Sequence, residues 1–147
     1  MSGFRIGYVA ASREIIQAMT RFQGHTSGNV CTFAQCGALA AVMMNGDLAA
    51  RQKASLKTKR DLAFHAISAL FPCIRPEGAF YIFLNVRHLS QNSYELAFDI
   101  LEKAGVGVAP GIDFGENAEG YIRISYANSL ENISEGLDRI GAYLKSR

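Results

Sequence analysis

The chain of 147 residues is long enough for one ordinary domain with a hydrophobic core and too short for two domains of typical size. Its content of 49% apolar and 19% charged residues is typical of a folded protein and excludes a disordered tail. The net charge of only +2 excludes a uniformly basic protein, although residues 1–90 carry ten basic against four acidic residues, and residues 91–147 carry five against nine.

The first part of the chain predicts one strand and two helices. Residues 5–11 contain β-branched and aromatic residues among small ones, which predicts a short β-strand. Ser12 is a typical N-cap residue and predicts a helix over residues 13–19. Residues 30–44 are small and apolar, so they predict a closely packed helix that ends at Asn45.

A long helix with a basic face is predicted next. Residues 48–71 contain no glycine or proline. The basic residues of this segment are Arg51, Lys53, Lys57, Lys59 and Arg60. Such a stripe can contact phosphates, but no aromatic residue interleaves with it before Phe64. We therefore interpret it as a solvated helix face and predict no nucleic-acid partner.

The remaining residues predict a small sheet covered by helices. Segments with high β-propensity are found at residues 80–86, 106–109 and 121–126. Two capping boxes of the pattern N-x-x-E open helices at Asn92 and Asn128. The order helix, strand, helix, strand, strand, helix predicts the α/β fold class.

Arg123 is an unusual residue for its position. It stands between Ile122 and Ile124 in a short β-prone segment, where it is partly desolvated and requires an anion. Its planar fork of N–H donors suits a carboxylate. Two interpretations remain open, a bound carboxylate and a structural salt bridge to a nearby Asp or Glu.

Arg5 presents the same problem beside two apolar neighbours. Gly3 and Gly7 would allow a bulky group such as a phosphate to approach the backbone. A structural role for Arg5 is the alternative.

Metal and membrane sites find no support in the sequence. The three histidines and three cysteines show no spacing typical of metal ligands. No basic-then-apolar leader is present at the start of the chain, and the longest apolar stretch, residues 38–44, is too short for a membrane span. We therefore predict a cytoplasmic protein without metal or membrane contact.

Four segments of the chain carry recognisable motifs. They are Ser2-Gly3-Phe4-Arg5-Ile6-Gly7-Tyr8, Pro76-x-Gly78-Ala79-Phe80-Tyr81, Val108-Ala109-Pro110-Gly111-x-x-Phe114-Gly115 and Tyr121-Ile122-Arg123-Ile124-Ser125-Tyr126-Ala127. In this order they resemble motifs of the fold-type I, pyridoxal-phosphate-dependent aminotransferases of class I/II, the group that includes aspartate aminotransferase. The resemblance extends over essentially the whole chain.

The resemblance implies a function and a set of site residues. The reaction would transfer an amino group between an amino acid and a 2-oxo acid by means of pyridoxal 5'-phosphate. By resemblance, Arg5 would bind the cofactor phosphate and Arg123 the α-carboxylate of the substrate. The loop that contains Ser27, Gly28 and Asn29 would lie near the interface of a homodimer, close to the partner's active site.

The resemblance also implies how the chain divides. Residues 1–46 would be a fragment of the large cofactor-binding domain, and residues 47–147 the small C-terminal α/β domain with its long linking helix. The family's Schiff-base lysine would lie four residues before Met1, so no catalytic residue is predicted here and the isolated chain is expected to be inactive. The alternative is a non-catalytic interaction module that reuses the small-domain fold.

Overall fold

The computed structural model describes residues 1–44 and 46–146, with the backbone alone at Ser2, and separates into two compact units. These units are Met1–Ala50 and Arg51–Arg147. Asn45, the predicted end of a helix, lies outside the described residues.

The first unit begins without the predicted strand. A short 3-10 turn covers Ser2–Phe4, Arg5 forms a turn, and residues 6–12 follow without helix or strand. A strand requires a neighbour that pairs with its backbone N–H and C=O groups. No described residue pairs with this segment, so the prediction of a strand at residues 5–11 is wrong.

Two helices form most of the first unit. Helix α1 covers Arg13–Thr26 and helix α2 covers Thr32–Met43. Helix α1 extends seven residues beyond its predicted end, and the left-handed Gly28 then closes it by donating to the carbonyl of Gln23. Within α2, Ala34 is the one buried residue among those described, so the prediction of a closely packed helix is not met.

The second unit contains a three-stranded antiparallel sheet. Strand β1 covers Tyr81–Asn85, β2 covers Ala109–Pro110 and β3 covers Tyr121–Ser125, in the order β1-β3-β2. The strand predicted at residues 106–109 is therefore shorter and displaced. Pro110 is tolerated in it because β2 is an edge strand, where a missing N–H costs little.

Three helices accompany the sheet. Helix α3 covers Asp47–Ser68, beginning in the first unit, and is followed along the chain by α4 at Ser93–Ala104 and α5 at Leu130–Lys145. As predicted, the Asn92 side chain caps α4 by accepting from two backbone N–H groups. The cap of α5 is Ser129. The sequence predicted Asn128 as the cap, but the Asn128 side chain instead accepts a hydrogen bond from the N–H of Ser129.

The core lies between one face of the sheet and the three helices. Ile82, Leu84 and Ile122 of the sheet are each 1% exposed. The helix residues buried with them are Ala63, Ile67, Leu96, Ile100, Ile133, Leu137, Ile140 and Tyr143. Burial of each large apolar side chain contributes about 1.5–3 kcal/mol. This arrangement confirms the predicted α/β fold class with helices packed on a small sheet.

The basic face of α3 is partly neutralised. Asp61 accepts hydrogen bonds from Arg75 and Arg60, and Arg60 also donates to the carbonyl of Pro76. The hydrogen bond from Arg75, and then that from Arg60, lower the pKa of Asp61 to about 2. These bonds join α3 to the segment that leads into β1.

Candidate functional site

Arg123 lies at the middle of the central strand. In the sheet register it stands opposite Phe83 of β1 and Ala109 of β2. Its neighbour Ile122 is buried and Ile124 packs against the same core. Because side chains alternate along a strand, Arg123 projects from the face that the core does not occupy, where it is half-buried. The alternation that a strand at residues 121–126 requires is therefore present.

Two aromatic rings lie against the Arg123 guanidinium. Its Cζ is 4.1 Å from the centroid of the Tyr81 ring and 4.3 Å from that of the Phe114 ring. Tyr81 belongs to β1, whereas Phe114 ends a 3-10 turn over Gly111–Phe114. A cation over an aromatic face within about 6 Å is attracted by the ring quadrupole. The two rings therefore contact the guanidinium without accepting conventional hydrogen bonds from its N–H groups.

No internal carboxylate pairs with Arg123 within residues 1–44 and 46–146. The ion pairs found there join other residues, such as Arg139 with Glu135 and Lys103 with Asp99. The sequence left open a structural salt bridge as one interpretation of Arg123, and the described residues offer no partner for such a bridge. A half-buried guanidinium with its N–H donors available is suited to bind an external carboxylate.

The turn that carries Phe114 is fastened to helix α4. The backbone N–H of Ile112 donates to Ser93 Oγ over 3.2 Å. Ser93 is completely buried and donates in turn to Glu119, from its N–H to Oε1 over 2.6 Å and from its Oγ to Oε2 over 3.1 Å. Gly120 N–H also donates to Glu119 Oε1, over 3.1 Å. Glu119 thus connects the start of α4, the Phe114 turn and the entry to β3.

This network shifts the titration of Glu119. The hydrogen bond from the Ser93 backbone is the main cause that lowers the pKa of Glu119 below its usual 4.5. A carboxyl group with a lowered pKa in the folded state stabilises the fold above the unfolded-state pKa. That contribution is lost as pH falls through the folded-state value.

We expect the contribution of the Glu119 carboxylate to the free energy of unfolding to depend on pH. In Glu119→Gln, the free energy of unfolding should be lower than in the unsubstituted chain at neutral pH, and the difference should shrink as pH falls below about 4.5. Urea unfolding at a series of pH values from 7 to 3 measures it. Glu116→Gln, at an exposed carboxylate of the same loop, is the matched control. A stability difference for Glu119→Gln that stays constant across this pH range would contradict the assignment.

Further aromatic residues share the face of Arg123. Phe83 contacts Phe114 edge-on, with centroids 5.4 Å apart, and lies 6.3 Å from the ring of Tyr121. A second arginine, Arg87, stands over the Tyr121 ring at 5.0 Å. This face of the sheet is therefore aromatic and cationic, in contrast to the aliphatic face that meets the helices.

Arg5 belongs to the first unit and is exposed. Its backbone is left-handed, with φ of 52°, which is uncommon for a residue with a side chain. Nothing lies within 4 Å of the point where a Cβ would stand at Gly3 or Gly7. Arg5 thus stands in a turn whose neighbouring backbone, at Gly3 and Gly7, is open to the approach of a bulky group.

The described residues show neither a metal cluster nor a membrane helix. Within that part of the chain, no three His, Cys, Asp or Glu side chains gather in a way that could hold a metal ion. None of its helices combines the length and apolar character needed to cross a bilayer.

The model of the family of aminotransferases of class I and II matches residues 1–140. The chain belongs to this family. The predicted relationship is confirmed.

Curated aminotransferases of several kinds are similar to the chain. A probable aspartate/prephenate aminotransferase of Rickettsia conorii is 38% identical over 95% of the chain and 37% of its own length. Aromatic-amino-acid aminotransferase 2 of Thermococcus litoralis is 33% identical over all of the chain and 39% of its own length. The chain thus spans about two fifths of the length of these aminotransferases.

Solved aminotransferase structures share the fold. An aromatic aminotransferase from Pyrococcus horikoshii matches the whole chain with a TM-score of 0.85 and 35% identity, over 40% of its own chain. A tetra mutant of Thermus thermophilus aspartate aminotransferase matches 97% of the chain with a TM-score of 0.81 and 33% identity, over 39% of its own chain. The chain is therefore similar to a part of the fold-type I aminotransferases.

Two residues that surround Arg123 were not predicted from the sequence. Tyr81 and Phe114 both stand in motifs that resemble the family, yet no role was assigned to them. The only signal in the sequence is that each is an aromatic residue at a motif edge. Nothing local indicates that they meet Arg123, because β1 pairs with β3 across about 40 intervening residues.

Proposed function

We propose that these residues form the C-terminal part of a pyridoxal-phosphate-dependent aminotransferase, which transfers an amino group between an amino acid and a 2-oxo acid. The family match and the coverage of about two fifths of the relatives support this proposal. Residues 1–46 would then belong to the large cofactor-binding domain and residues 47–147 to the small domain.

The observation that carries the proposal is the environment of Arg123. A half-buried guanidinium held by two rings, without an internal carboxylate among the described residues, is suited to the α-carboxylate of an amino acid. In this role Arg123 donates two parallel N–H bonds and orients the substrate relative to the reacting centre. Orientation of this kind accelerates a reaction because the entropy of positioning is lost on binding rather than in the transition state.

We assign the cofactor phosphate to Arg5. The positive charge of Arg5 and the open backbone at Gly3 and Gly7 fit a phosphate group. When bound, pyridoxal 5'-phosphate supplies an electron sink for the charge that develops at the substrate Cα. The contribution of Arg5 is to keep this group anchored while chemistry proceeds.

Partners and location follow from the same proposal. The whole protein would be a cytoplasmic homodimer, with the loop at Ser27, Gly28 and Asn29 near the partner's active site. In the described structure this loop follows directly on α1, and Gly28 is in the left-handed conformation that ends the helix. A chemical cross-linking experiment on the whole protein would test the position of this loop.

We predict that the 147 residues by themselves do not catalyse transamination. The reaction needs an amine that moves a proton at the substrate Cα. The lysines of the chain are Lys53, Lys57, Lys59, Lys103 and Lys145, none of which stands at the family's catalytic position. Incubation of the purified chain with pyridoxal phosphate, a 2-oxo acid and aspartate, tyrosine or alanine should give no steady formation of product.

Steady turnover in that experiment would overturn the prediction. A full-length relative, such as the Thermococcus litoralis enzyme, serves as the positive control. The DNA upstream of the Met1 codon distinguishes the proposal from the alternative of a non-catalytic module. An open frame with lysine four residues before Met1 supports the aminotransferase, whereas in-frame stop codons there support the module.

A further inference from the structure

We propose that Tyr81 and Phe114 are positioning residues, which hold the Arg123 guanidinium in the orientation that receives the substrate carboxylate. This inference rests on the proposed function of Arg123. Tyr81 and Phe114 need not touch the substrate, because each acts through its contact with the arginine.

Arginine loses much conformational freedom when it is fixed in place. Its side chain has several rotatable bonds, and an arginine held only by solvent samples many rotamers. At Arg123 the described residues provide two ring contacts, at 4.1 Å and 4.3 Å, and no side-chain hydrogen bond or ion pair. Ring contacts immobilise the guanidinium and leave its N–H donors for a ligand.

The two rings rest on independent supports. Tyr81 is set by the register of β1, in which it stands opposite Ser125 of β3. Phe114 is set by the turn that is fastened through Ser93 to Glu119. Both supports belong to the second unit, so the proposed positioning of Arg123 needs no contact from the first unit.

Loss of one ring should weaken carboxylate binding without abolishing it. When a long side chain must be ordered on binding, the lost conformational entropy lowers the affinity by about twofold to tenfold. Phe114→Leu and Tyr81→Leu should each reduce the affinity for a carboxylate by about this factor. Tyr81→Phe keeps the ring and should bind with the affinity of the unsubstituted chain. Arg123→Lys should lose more, because an ammonium group cannot donate two parallel bonds.

NMR spectroscopy of the ¹⁵N-labelled 147-residue chain tests the proposal directly. Aromatic ring currents should displace the Arg123 Nε–Hε resonance upfield, and Phe114→Leu or Tyr81→Leu should each remove part of that displacement. Titration with sodium acetate at constant ionic strength measures carboxylate affinity from the same resonance, and from the backbone amide of residue 123 in Arg123→Lys. The resonances of core isoleucines report whether each variant is folded.

Arg87 and Tyr121 provide a matched control on the same sheet face. Tyr121→Leu should shift the Nε–Hε resonance of Arg87, which stands over that ring, and leave the resonance of Arg123 in place. A common response of both arginines to every ring substitution would indicate a general disturbance of the sheet and would overturn the proposal.

The outcomes separate this inference from the proposed function. If acetate does not perturb Arg123 in the unsubstituted chain, the proposed carboxylate role fails, and the ring-current displacements still show whether the rings hold the side chain. If acetate binds but Phe114→Leu and Tyr81→Leu bind it with unchanged affinity, the positioning role is overturned. If affinity falls in both variants and recovers in Tyr81→Phe, the positioning role is established.

Discussion

Replacement of Arg123 with alanine in the whole aminotransferase is expected to weaken substrate binding by at least about 100-fold, because two charge-assisted hydrogen bonds are lost. Binding of pyridoxal phosphate should change little, since the proposed phosphate ligand is Arg5. Substrate affinity is measured by titration with an amino acid, and cofactor binding by the absorbance of the bound cofactor. The two constants are compared in the same preparation.

Two further variants sharpen this test of Arg123. Arg123→Lys keeps the charge but not the planar fork, so its loss of substrate affinity should lie between that of alanine and no change. Arg139→Ala removes an exposed arginine on α5 that pairs with Glu135, and should leave both affinities unaltered. Equal losses of substrate and cofactor binding in Arg123→Ala would contradict the assigned role.

Gly111→Ala is expected to destabilise the second unit by about 3 kcal/mol, the cost of forcing an extra group into a packed site. A Cβ at this position would stand 1.9 Å from the carbonyl oxygen of Ala118 and 2.6 Å from that of Tyr121. Both obstacles are backbone atoms, so a side-chain rotation cannot relieve the overlap. The turn from Gly111 to Phe114 would have to move, and the ring beside Arg123 would move with it.

Gly107→Ala is the matched control for this substitution. Nothing lies within 4 Å of a Cβ at Gly107, so its stability should be close to that of the unsubstituted chain. Urea unfolding followed by amide hydrogen exchange at β3 reports on the second unit alone. An unchanged unfolding midpoint in Gly111→Ala would show that the turn can shift without cost.

The substitutions at Arg123 and Gly111 test groups that depend on one another within the site. Arg123 is the proposed carboxylate ligand, Phe114 contacts Arg123, and the turn that carries Phe114 needs glycine at position 111 and the hydrogen bond to Ser93. We therefore expect Gly111→Ala to reduce carboxylate affinity as well as stability. Glu119→Gln should do the same to a smaller extent, because the other contacts of the turn remain.

Elements with strong local patterns were predicted well. The helix cap at Asn92 follows from short-range chemistry, and it occurs in the structure. The alternation of β3 predicted which face Arg123 occupies, since a period of two requires no knowledge of neighbouring strands. The resemblance to aminotransferases rested on four short motifs, and the family match confirms it.

Elements that depend on distant partners were predicted poorly. Residues 5–11 have the composition of a strand, but a strand exists only where another segment supplies its hydrogen bonds. The edge strand β2 moved to Ala109–Pro110 because pairing with β3, and not β-propensity, decides its position. The cap of α5, a local feature, also differs by one residue, because Ser129 Oγ accepts from the N–H of Asn132 whereas Asn128 accepts from the N–H of Ser129.

The sequence by itself determined the family, the fold class and the unusual position of Arg123 between two isoleucines, because these depend on motifs and on local periodicity. Only the tertiary structure decided which groups surround the Arg123 guanidinium. It showed that no internal carboxylate among the described residues serves Arg123, and that Tyr81 and Phe114 hold it instead. Tyr81 lies about 40 residues before Arg123 in the chain and Phe114 lies on a separate turn, so their contact with Arg123 follows from strand pairing and turn placement, which no local pattern encodes.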